Sequence, residues 1–211
     1  RSYPYTSSTT KILRDNFAEL FNECKKLINF NSKDLIVDIG SNDGNLLSNF
    51  KQIRRLGVTP ENIGKLAIKK GIPTLLRYFD KNTANLIQKK YGKAKIITAT
   101  NVFAHIDNIT ELMNNVLKVL KNDGVFVTES HYLMPLIKDL QYDTIYHEHL
   151  RYYSLTSLKN IFDKFKLEII HAKEIPTHGG SIRVYVAKKN NYKKSKLIKK
   201  ILNKEKKKLN R

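Results

Sequence analysis

Short apolar runs rich in β-branched residues alternate with helical patterns along most of the chain, and this alternation constrains the fold more than any other feature. Leu35–Ile39, Ala94–Ala99 and Gly124–Glu129 have the composition of strands that are buried on both faces. Apolar residues recur at helical spacing over Lys11–Phe30 and Ile109–Leu120. Strands and helices in this order form parallel units, so the sequence predicts an α/β fold with a doubly wound, mostly parallel sheet and helices on both faces.

The remaining elements have weaker patterns. Leu56–Val58 is predicted as a short second strand, and the helix Glu61–Lys70 is predicted to follow it. Asn122–Gly124 has turn composition and is predicted to end the helix before it. Towards the end of the chain, Leu167–Ile170 and Ile182–Val186 are predicted to form a closing pair of strands.

Length and composition suit one good-sized domain with an appendage. The chain has 211 residues, of which 41% are hydrophobic. We expect an N-terminal arm and helix over residues 1–30, a core over 31–190 and a basic helical tail over 191–211. No apolar run approaches the ~20 residues of a membrane-spanning helix, so no membrane partner is expected. Cys24 is the one cysteine, which excludes an internal disulfide within this stretch and favours a reducing, cytoplasmic setting.

The charge balance admits two interpretations. The formal net charge is +20, with 31 lysines and only 8 arginines. Such a charge is typical of nucleic-acid binders, but arginine is the residue favoured for bidentate recognition of phosphates and bases. The lysines also cluster at Lys188–Lys208, and a lysine-rich composition on solvated faces accounts for the charge equally well. A catalytically silent basic module that contacts nucleic acid through this tail therefore stays an alternative, while no nucleic-acid partner is the expectation.

A glycine turn follows the first strand, in the stretch Val37–Gly44. Ligands of such sheets bind beyond the carboxyl ends of the strands, and Gly40 and Gly44 allow close approach of a ligand to the backbone. Asn42 and Asp43 add an amide and a carboxylate. The stretch is neither G-x-G-x-x-G nor a P-loop, which disfavours a dinucleotide or a triphosphate. An acidic turn suits a cationic ligand, and S-adenosylmethionine carries a sulfonium and an ammonium group.

A nucleoside cofactor usually meets a carboxylate at the end of the second strand, where it binds the ribose hydroxyls. The nearest acid here is Glu61, two residues later than expected. A carboxylate at the start of a helix, interacting with the helix dipole, is the alternative interpretation of Glu61.

Histidines and tyrosines are concentrated in the stretch Tyr142–Ser154, where His147 and His149 flank Glu148. The sequence H-E-H is not the zinc motif H-E-x-x-H, and no further cysteine and histidine set has ligand spacing, so no metal is expected. General-base chemistry fits better, because histidine titrates near neutral pH and an adjacent carboxylate raises its basicity. A polar loop of structural histidines is the alternative.

Six stretches together resemble the S-adenosylmethionine-dependent C-methyltransferases that act on nucleotide-linked 4-keto-deoxy sugars. The most specific are the Tyr-His-Glu-His run at 146–149 and the His-Gly-Gly-Ser turn at 178–181. The others, in the same order as in the family, are residues 3–8, 37–44, 101–106 and 152–154. The resemblance implies a Rossmann-like class I methyltransferase core, S-adenosylmethionine as cofactor and a nucleotide-sugar substrate.

The resemblance also implies residue roles. His149 would be the base that forms an enolate, supported by Glu148, while Tyr146 and His105 would hold the keto or enolate oxygen. The cofactor-binding residues would be Gly40, Asn42, Asp43, Gly44, Glu61 and Asn101. The substrate-binding residues would be Tyr3, Tyr5, His147, His178, Gly179 and Ser181.

Two further expectations follow from the resemblance. Family members have a cysteine-rich zinc domain, the methyltransferase core and a second α/β domain, so this chain is expected to be the core of a longer protein, with the basic tail leading to the next domain. The family has Gly-x-Glu-Pro at the second strand, whereas this chain has Thr59 in place of the glutamate. A methyltransferase that acts on nitrogen or oxygen of a small molecule stays an alternative, because that chemistry needs no carbon acid.

Overall fold

The computed structural model describes residues 6–145 and 147–209. Within them the strands form a seven-stranded, mostly parallel sheet in the order β3-β2-β1-β4-β5-β7-β6, flanked by helices. The strands are β1 Leu35–Ile39, β2 Arg54–Val58, β3 Thr74–Leu75, β4 Ala94–Thr100, β5 Leu120–His131, β6 Leu167–Ile175 and β7 Ser181–Lys188. The helices are α1 Lys11–Leu27, α2 Asn45–Ser48, α3 Gly64–Lys69, α4 Lys81–Lys90, α5 Ile109–Val119, α6 Leu133–Lys138, α7 Leu155–Lys164 and α8 Lys196–Leu209. The α/β fold class is confirmed.

The chain divides into two compact units, and the first takes in residues up to Ala99 together with Thr110–Gly124. In this unit β1 pairs in parallel with β2 and with β4, and β2 pairs in parallel with β3. All residues of β1 and β4 are buried, as their mostly apolar composition predicts. The parallel strands end on one edge of the sheet, where the glycine turn follows β1.

The second unit comprises Thr100–Ile109 and the chain from Val125 onwards. Here β7 pairs antiparallel with both β5 and β6, which confirms the predicted closing pair of strands. The rings of Phe103, Phe126 and Phe162 lie 6.1–6.2 Å apart and form the aromatic centre of this unit. The register places His131 of β5 opposite Ser181 of β7, at the end of both strands.

One local prediction was wrong, and two others were incomplete. Asn122–Gly124 does not end a helix but belongs to β5, where the Lys95 ammonium binds the Asp123 carboxylate at 2.6 Å. A side chain at Gly124 would also come within 3.1 Å of the Ala94 carbonyl oxygen, so glycine serves close packing there. The helix predicted from Glu61 starts at Gly64, and the two-residue strand β3 was not predicted.

Helix α8 is tied into the second unit by one buried carboxylate. Glu205 is 1% exposed and accepts hydrogen bonds from the Tyr132 hydroxyl, at 3.0 Å, and the Leu155 backbone N–H, at 2.6 Å. It also accepts from the backbone N–H and the hydroxyl of Thr156. The predicted segments 1–30, 31–190 and 191–211 stay a prediction. In the described part of the chain, no helix combines the length and apolarity needed to cross a membrane.

Candidate active site

The turn after β1 is anchored to the end of β2 through its backbone. The N–H groups of Gly40 and Ser41 both donate to the Val58 carbonyl oxygen, at 2.8 and 3.2 Å. Gly40 has φ 74° and is exposed, so its backbone is open to solvent in a conformation that favours glycine. Gly44, at φ 79°, serves packing as well, because a Cβ there would lie 2.9 Å from the Ala67 Cβ.

Asn42 and Asp43 hold a segment of the N-terminal arm against the turn. The Ser7 hydroxyl donates to the Asp43 carboxylate at 2.6 Å, and the Ser7 N–H donates to the Asn42 side-chain oxygen at 3.1 Å. The Asn45 amide donates to the Ser7 carbonyl at 3.0 Å, so Ser7 is held at three points. We call this set of contacts the Ser7 clasp.

The carboxylate of Asp43 is fully buried in the clasp. Lys70 donates to it at 3.0 Å from the end of α3. Burial raises the pKa of Asp43, but hydrogen bonds from Ser7, Ser8 and Lys70 outweigh it and hold that pKa below its ordinary value. Asp43 is therefore a fixed negative charge beneath the turn.

The turn leaves two groups accessible or unpartnered. The hydroxyl of Ser41 is buried and has no hydrogen-bond partner among the described residues. Gly40 supplies an open backbone. The Asp43 charge is buried and paired with Lys70, so it stabilises the turn from beneath.

The end of β2 offers less to a ribose than the resemblance implies. Thr59, at the position of the family's glutamate, is 4% exposed, and its N–H donates to the Leu75 carbonyl oxygen at 3.0 Å. Glu61 is half-buried and precedes α3, and its carbonyl accepts the Gly64 N–H at 3.2 Å. Glu61 is the acid nearest to this strand end in sequence.

Four histidine rings come together in the second unit, and we call them the histidine cluster. The ring centroids of His105 and His149 are 5.0 Å apart, and those of His131 and His149 are 4.6 Å apart. The His178 ring lies 5.8 Å from His131. His131 and His149 are half-buried, whereas His105 and His178 are exposed. We call the exposed side of the cluster its rim.

His131 is the member that sequence reasoning missed. It lies at the end of β5, two residues beyond the predicted strand Gly124–Glu129. A histidine just after a predicted buried strand lies at the strand-end edge of the sheet, where ligands of such sheets bind, so the sequence did contain a signal for His131.

Hydrogen bonds to backbone carbonyls fix the tautomers of two rings. His105 Nδ1 lies 2.7 Å from the Glu148 carbonyl oxygen, and His149 Nδ1 lies 3.3 Å from the Thr144 carbonyl oxygen. A carbonyl only accepts, so each Nδ1 carries the hydrogen. In the neutral rings the basic lone pair is therefore on Nε2.

Burial and neighbouring rings keep three members of the cluster unprotonated at neutral pH. Burial lowers the pKa of His149, His105 lowers it further, and the opposing effect of Glu148 is smaller. Burial and the other three rings of the cluster lower the pKa of His131 to about 4. Partial desolvation also lowers the pKa of His178. His131, His149 and His178 are thus neutral imidazoles that can accept a proton.

Asn101 and the His-Gly-Gly-Ser turn meet beside the cluster. The Asn101 amide nitrogen lies 3.4 Å from His178 Nε2, and the Asn101 side-chain oxygen is buried with no hydrogen-bond partner among the described residues. Gln141 donates to the Gly179 carbonyl at 2.8 Å. A side chain at Gly180 would lie 2.6 Å from Pro135, so this glycine allows the turn to pack on α6.

The other predicted site residues differ in accessibility. His147 is exposed, while Ser181 is fully buried and its hydroxyl donates to the Thr177 carbonyl at 3.1 Å. Tyr3, Tyr5 and Tyr146 lie outside the described residues. Over residues 6–145 and 147–209, no group of three or more histidine, cysteine, aspartate or glutamate side chains is arranged to hold a metal ion.

Comparison with known proteins supports the interpretation of this chain as a methyltransferase. The C-methyltransferase NovU of Streptomyces niveus is 35% identical over 188 residues, which cover 88% of this chain and 45% of that protein. The chain thus spans about half the length of this relative.

Solved structures agree in fold. A magnesium protoporphyrin IX methyltransferase from Synechocystis PCC 6803, solved with bound SAH, has a TM-score of 0.62 at 10% identity, with 83% of each chain covered. An S-adenosylmethionine-dependent methyltransferase from Clostridium acetobutylicum has a TM-score of 0.62 at 15% identity, covering 86% of this chain and 93% of its own. The fold is that of the class I methyltransferases, whose cofactor is S-adenosylmethionine. Residues 7–172 match the methyltransferase domain family, and the chain belongs to that family.

Proposed function

We propose that the protein is an S-adenosylmethionine-dependent C-methyltransferase that methylates a carbon next to a ketone in a nucleotide-linked deoxy sugar. The observation that carries the proposal is the state of His149. Its Nδ1 hydrogen is donated to the Thr144 carbonyl, its neutral form has a basic Nε2, and its pKa is lowered. A carbon nucleophile needs such a base, because the C–H bond must be broken before a methyl group is accepted.

The base acts on the hydrogen of the carbon beside the ketone. His149 Nε2 takes this proton, and the electron pair of the broken C–H bond moves into a carbon–carbon double bond as the ketone oxygen becomes negatively charged. A positioned base of this kind contributes about 10²–10⁴-fold to the rate. Burial, together with the rings of His105 and His178, lowers the pKa of His149 and so keeps it neutral before this step.

The negative oxygen needs hydrogen-bond donors. Tyr146, through its hydroxyl, and His105 are the proposed donors. His105 gives its Nδ1 hydrogen to the Glu148 carbonyl, so it donates from Nε2 only as an imidazolium. Glu148 thus contributes a carbonyl to His105 and a charge that favours a proton on His149.

The proposed cofactor site is the turn after β1. Gly40 and Gly44 shape the turn, Asn42 and Asp43 stabilise it through the Ser7 clasp, and Glu61 is proposed to bind the ribose. When bound, S-adenosylmethionine supplies an electrophilic methyl group on a positively charged sulfur. Asn101 was expected to bind this cofactor, but its contact with His178 favours a role beside the substrate.

The proposed substrate site is the rim of the histidine cluster. Exposed His147, His178 and Gly179 can contact a sugar, whereas Ser181 supports the turn from within. The formal charge of +20 favours the approach of an anionic nucleotide sugar. Tyr3 and Tyr5 are proposed to cover the sugar, on the strength of the resemblance alone.

Two measurements on the full-length protein test the proposal. A nucleotide-linked 4-keto-deoxy sugar is incubated in deuterated water without cofactor, and we expect exchange of the hydrogens next to the ketone. With S-adenosylmethionine added, we expect a product whose new methyl group is bonded to carbon, as NMR spectroscopy can establish. Absence of both exchange and carbon methylation contradicts the proposal.

The same measurements separate the alternatives. A nitrogen or oxygen methyltransferase transfers the methyl group to an appropriate acceptor without exchanging a carbon-bound hydrogen. A nucleic-acid module ignores S-adenosylmethionine and binds nucleic acid with an affinity that falls steeply with salt. Calorimetric titration with S-adenosylmethionine distinguishes this last case.

A further inference from the structure

A fully buried ion pair lies in the sheet next to the histidine cluster. Arg183 Nε donates to the Glu129 carboxylate at 2.7 Å, and neither side chain has any solvent exposure. The two residues are register partners on β7 and β5. Glu129 lies two residues before His131 on β5, so the ion pair adjoins the histidine cluster along this strand. Nothing in the proposed proton transfer uses this pair.

Glu129 also contacts both segments that meet at His178. Its backbone carbonyl accepts the Asn101 N–H at 2.8 Å. Its carboxylate lies 3.5 Å from the hydroxyl of Thr177, the residue before His178. The Asn101 amide in turn reaches His178. Glu129 therefore links the two segments, with its backbone carbonyl on the Asn101 side and its carboxylate on the His178 side.

Two of the residues linked by these contacts have strained backbones. Asn101 has φ 56° and His178 has φ 53°, in the left-handed region that is unfavourable for residues other than glycine. Such a conformation persists only where the surroundings hold it, and it is concentrated at functional sites. The turn around His178 is short and is followed by two glycines, so it has little structure of its own to impose this conformation.

We infer that Glu129 and Arg183 are positioning residues, whose buried pair fixes the carboxylate that holds the His178 turn through Thr177, so that His178 meets Asn101, itself held by the Glu129 backbone carbonyl, beside the histidine cluster. The inference rests on the proposed function insofar as it gives His178 a role at the substrate. An ion pair suits this task better than apolar packing, because it is directional and each partner has one favourable geometry. Apolar residues would fill the same volume without fixing the carboxylate that reaches Thr177.

The test removes both charges together. A lone Glu129→Gln or Arg183→Met change leaves one buried charge unpaired, so a loss of fold would be ambiguous. The double variant Glu129→Gln/Arg183→Met avoids this. We expect it to fold, by circular dichroism, and to bind S-adenosylmethionine within about 2-fold of the wild-type affinity.

Two readouts then report on positioning. The Glu129 charge raises the pKa of His178, which desolvation lowers, so removal of that charge shifts the NMR titration midpoint of His178 to lower pH. His131 and His149, the other titratable groups near His178, remain in place and serve as internal references. We expect hydrogen exchange next to the substrate ketone to fall by about 10-fold or more.

A second variant keeps the ion pair intact. Thr177→Val preserves shape but removes the hydroxyl that faces Glu129, and we expect a smaller loss of exchange, of about 3-fold. The matched control is Lys95→Met/Asp123→Asn, which removes an ion pair of 2.6 Å in the first unit and should leave exchange and the His178 midpoint unchanged.

The inference is overturned if the double variant and Thr177→Val both exchange hydrogen at the wild-type rate with an unmoved His178 midpoint. It is also overturned if the Lys95 and Asp123 control has the same effects. If the wild-type protein itself catalyses no exchange, the proposed function fails, and the His178 midpoint and chemical shift still decide whether the pair positions that ring.

Discussion

Asp38 of β1 accepts a hydrogen bond of 2.7 Å from the Thr98 hydroxyl of β4, and its carboxyl group is only 2% exposed. The two residues are register partners in the parallel pair of strands. Burial raises the pKa of Asp38 to about 7, and the hydrogen bond from Thr98 only partly opposes this effect. A proton is therefore taken up by this carboxyl group when the chain folds near pH 6.

Asp38 should make stability depend on pH in a direction unusual for a carboxylate. Its folded pKa of about 7 lies above the ordinary 3.8, so between these values the folded state binds a proton that the unfolded state lacks. Stability should fall as pH rises from about 4 to 7, by at most about 1.4 kcal/mol per pH unit, and level off above that range. Urea unfolding of the wild type and of Asp38→Asn measures the difference.

We expect the stability of Asp38→Asn relative to the wild type to increase between pH 4 and 7. The control is Asp80→Asn at the start of α4. The Thr83 N–H lowers the pKa of Asp80, so the stability that this carboxylate contributes is lost only as pH falls below about 4. A constant difference between Asp38→Asn and wild type would contradict the raised pKa.

A side chain at Gly40 should weaken cofactor binding in addition to straining the backbone. Gly40→Ala adds a methyl group at an exposed residue with φ 74°, in the turn proposed to meet the cofactor. Gly71→Ala is a matched control, because Gly71 is exposed, has the same φ of 74° and would place its Cβ in open space. Both changes should cost about 1–2 kcal/mol of stability. Only Gly40→Ala should weaken S-adenosylmethionine binding by calorimetry, and equal affinity in both variants would remove Gly40 from the site.

The Ser7 clasp should stabilise the cofactor turn. Ser7→Ala removes the 2.6 Å hydrogen bond to the buried Asp43 carboxylate but keeps the two backbone contacts of the clasp. A hydrogen bond to a charged group contributes about 1.5–3 kcal/mol, so we expect a loss of this size in the free energy of unfolding. S-adenosylmethionine affinity should fall as well, because the turn is less well held.

The control for this prediction is Thr9→Ala. The Thr9 hydroxyl makes an exposed hydrogen bond of 2.7 Å to the Thr6 carbonyl, within the same arm but away from Asp43. We expect it to change neither stability nor cofactor affinity by more than about 0.5 kcal/mol. An equal effect of both changes would mean that the arm acts through its general order and not through Asp43.

Two substitutions test which carboxylate binds the ribose of the cofactor. If Glu61 binds the ribose, Glu61→Ala should weaken S-adenosylmethionine binding by about 1.5–3 kcal/mol. Thr59→Glu would instead restore the acid of the related methyltransferases, but Thr59 is buried, so a longer side chain has to displace its neighbours or turn outwards. Tighter binding of Thr59→Glu combined with no effect of Glu61→Ala would reassign Glu61 as a charge at the start of a helix.

Local sequence patterns were sufficient to predict the strands that carry the candidate site. β1 was predicted at its observed bounds, Leu35–Ile39, because a short, mostly apolar run rich in β-branched residues indicates a strand buried on both faces. The turn after it was predicted from its glycines, and both Gly40 and Gly44 have positive φ. His105 and His149 were selected one by one, and the structure brings them within 5.0 Å of each other.

Local sequence patterns could not predict which distant residues pair across the sheet. Glu129 and Arg183 are 54 residues apart, and nothing local to either indicates a buried partner. Glu205 stands among the lysines of the predicted basic helical tail, where nothing local indicates burial, yet it accepts hydrogen bonds at the start of α7. The energy of a buried charge depends on its distant partner, which only the fold specifies.

The proposed base has a specific pH signature. His149 must be neutral to accept a proton, and its pKa is lowered from the ordinary 6.5 by burial and by His105. The rate of hydrogen exchange next to the substrate ketone should therefore rise with pH through a midpoint below 6.5 and be level at neutral pH. Removal of the neighbouring ring in His105→Asn should move the midpoint of His149 upwards, because one lowering influence is lost. An unmoved midpoint would assign the titration to another group.

Replacement of His149 should separate chemistry from binding. His149→Ala removes the base, which acts in the transition state, so turnover and hydrogen exchange should fall by about 10²-fold or more while S-adenosylmethionine affinity stays nearly unchanged. Tyr146→Phe should have a smaller effect, because it removes one hydroxyl and leaves the base in place. His171→Asn is the matched control, since His171 belongs to the same unit but its ring lies against Tyr185. If His149→Ala exchanges hydrogen at the wild-type rate, the base is another member of the site, and His147 and the newly located His131 are the next candidates.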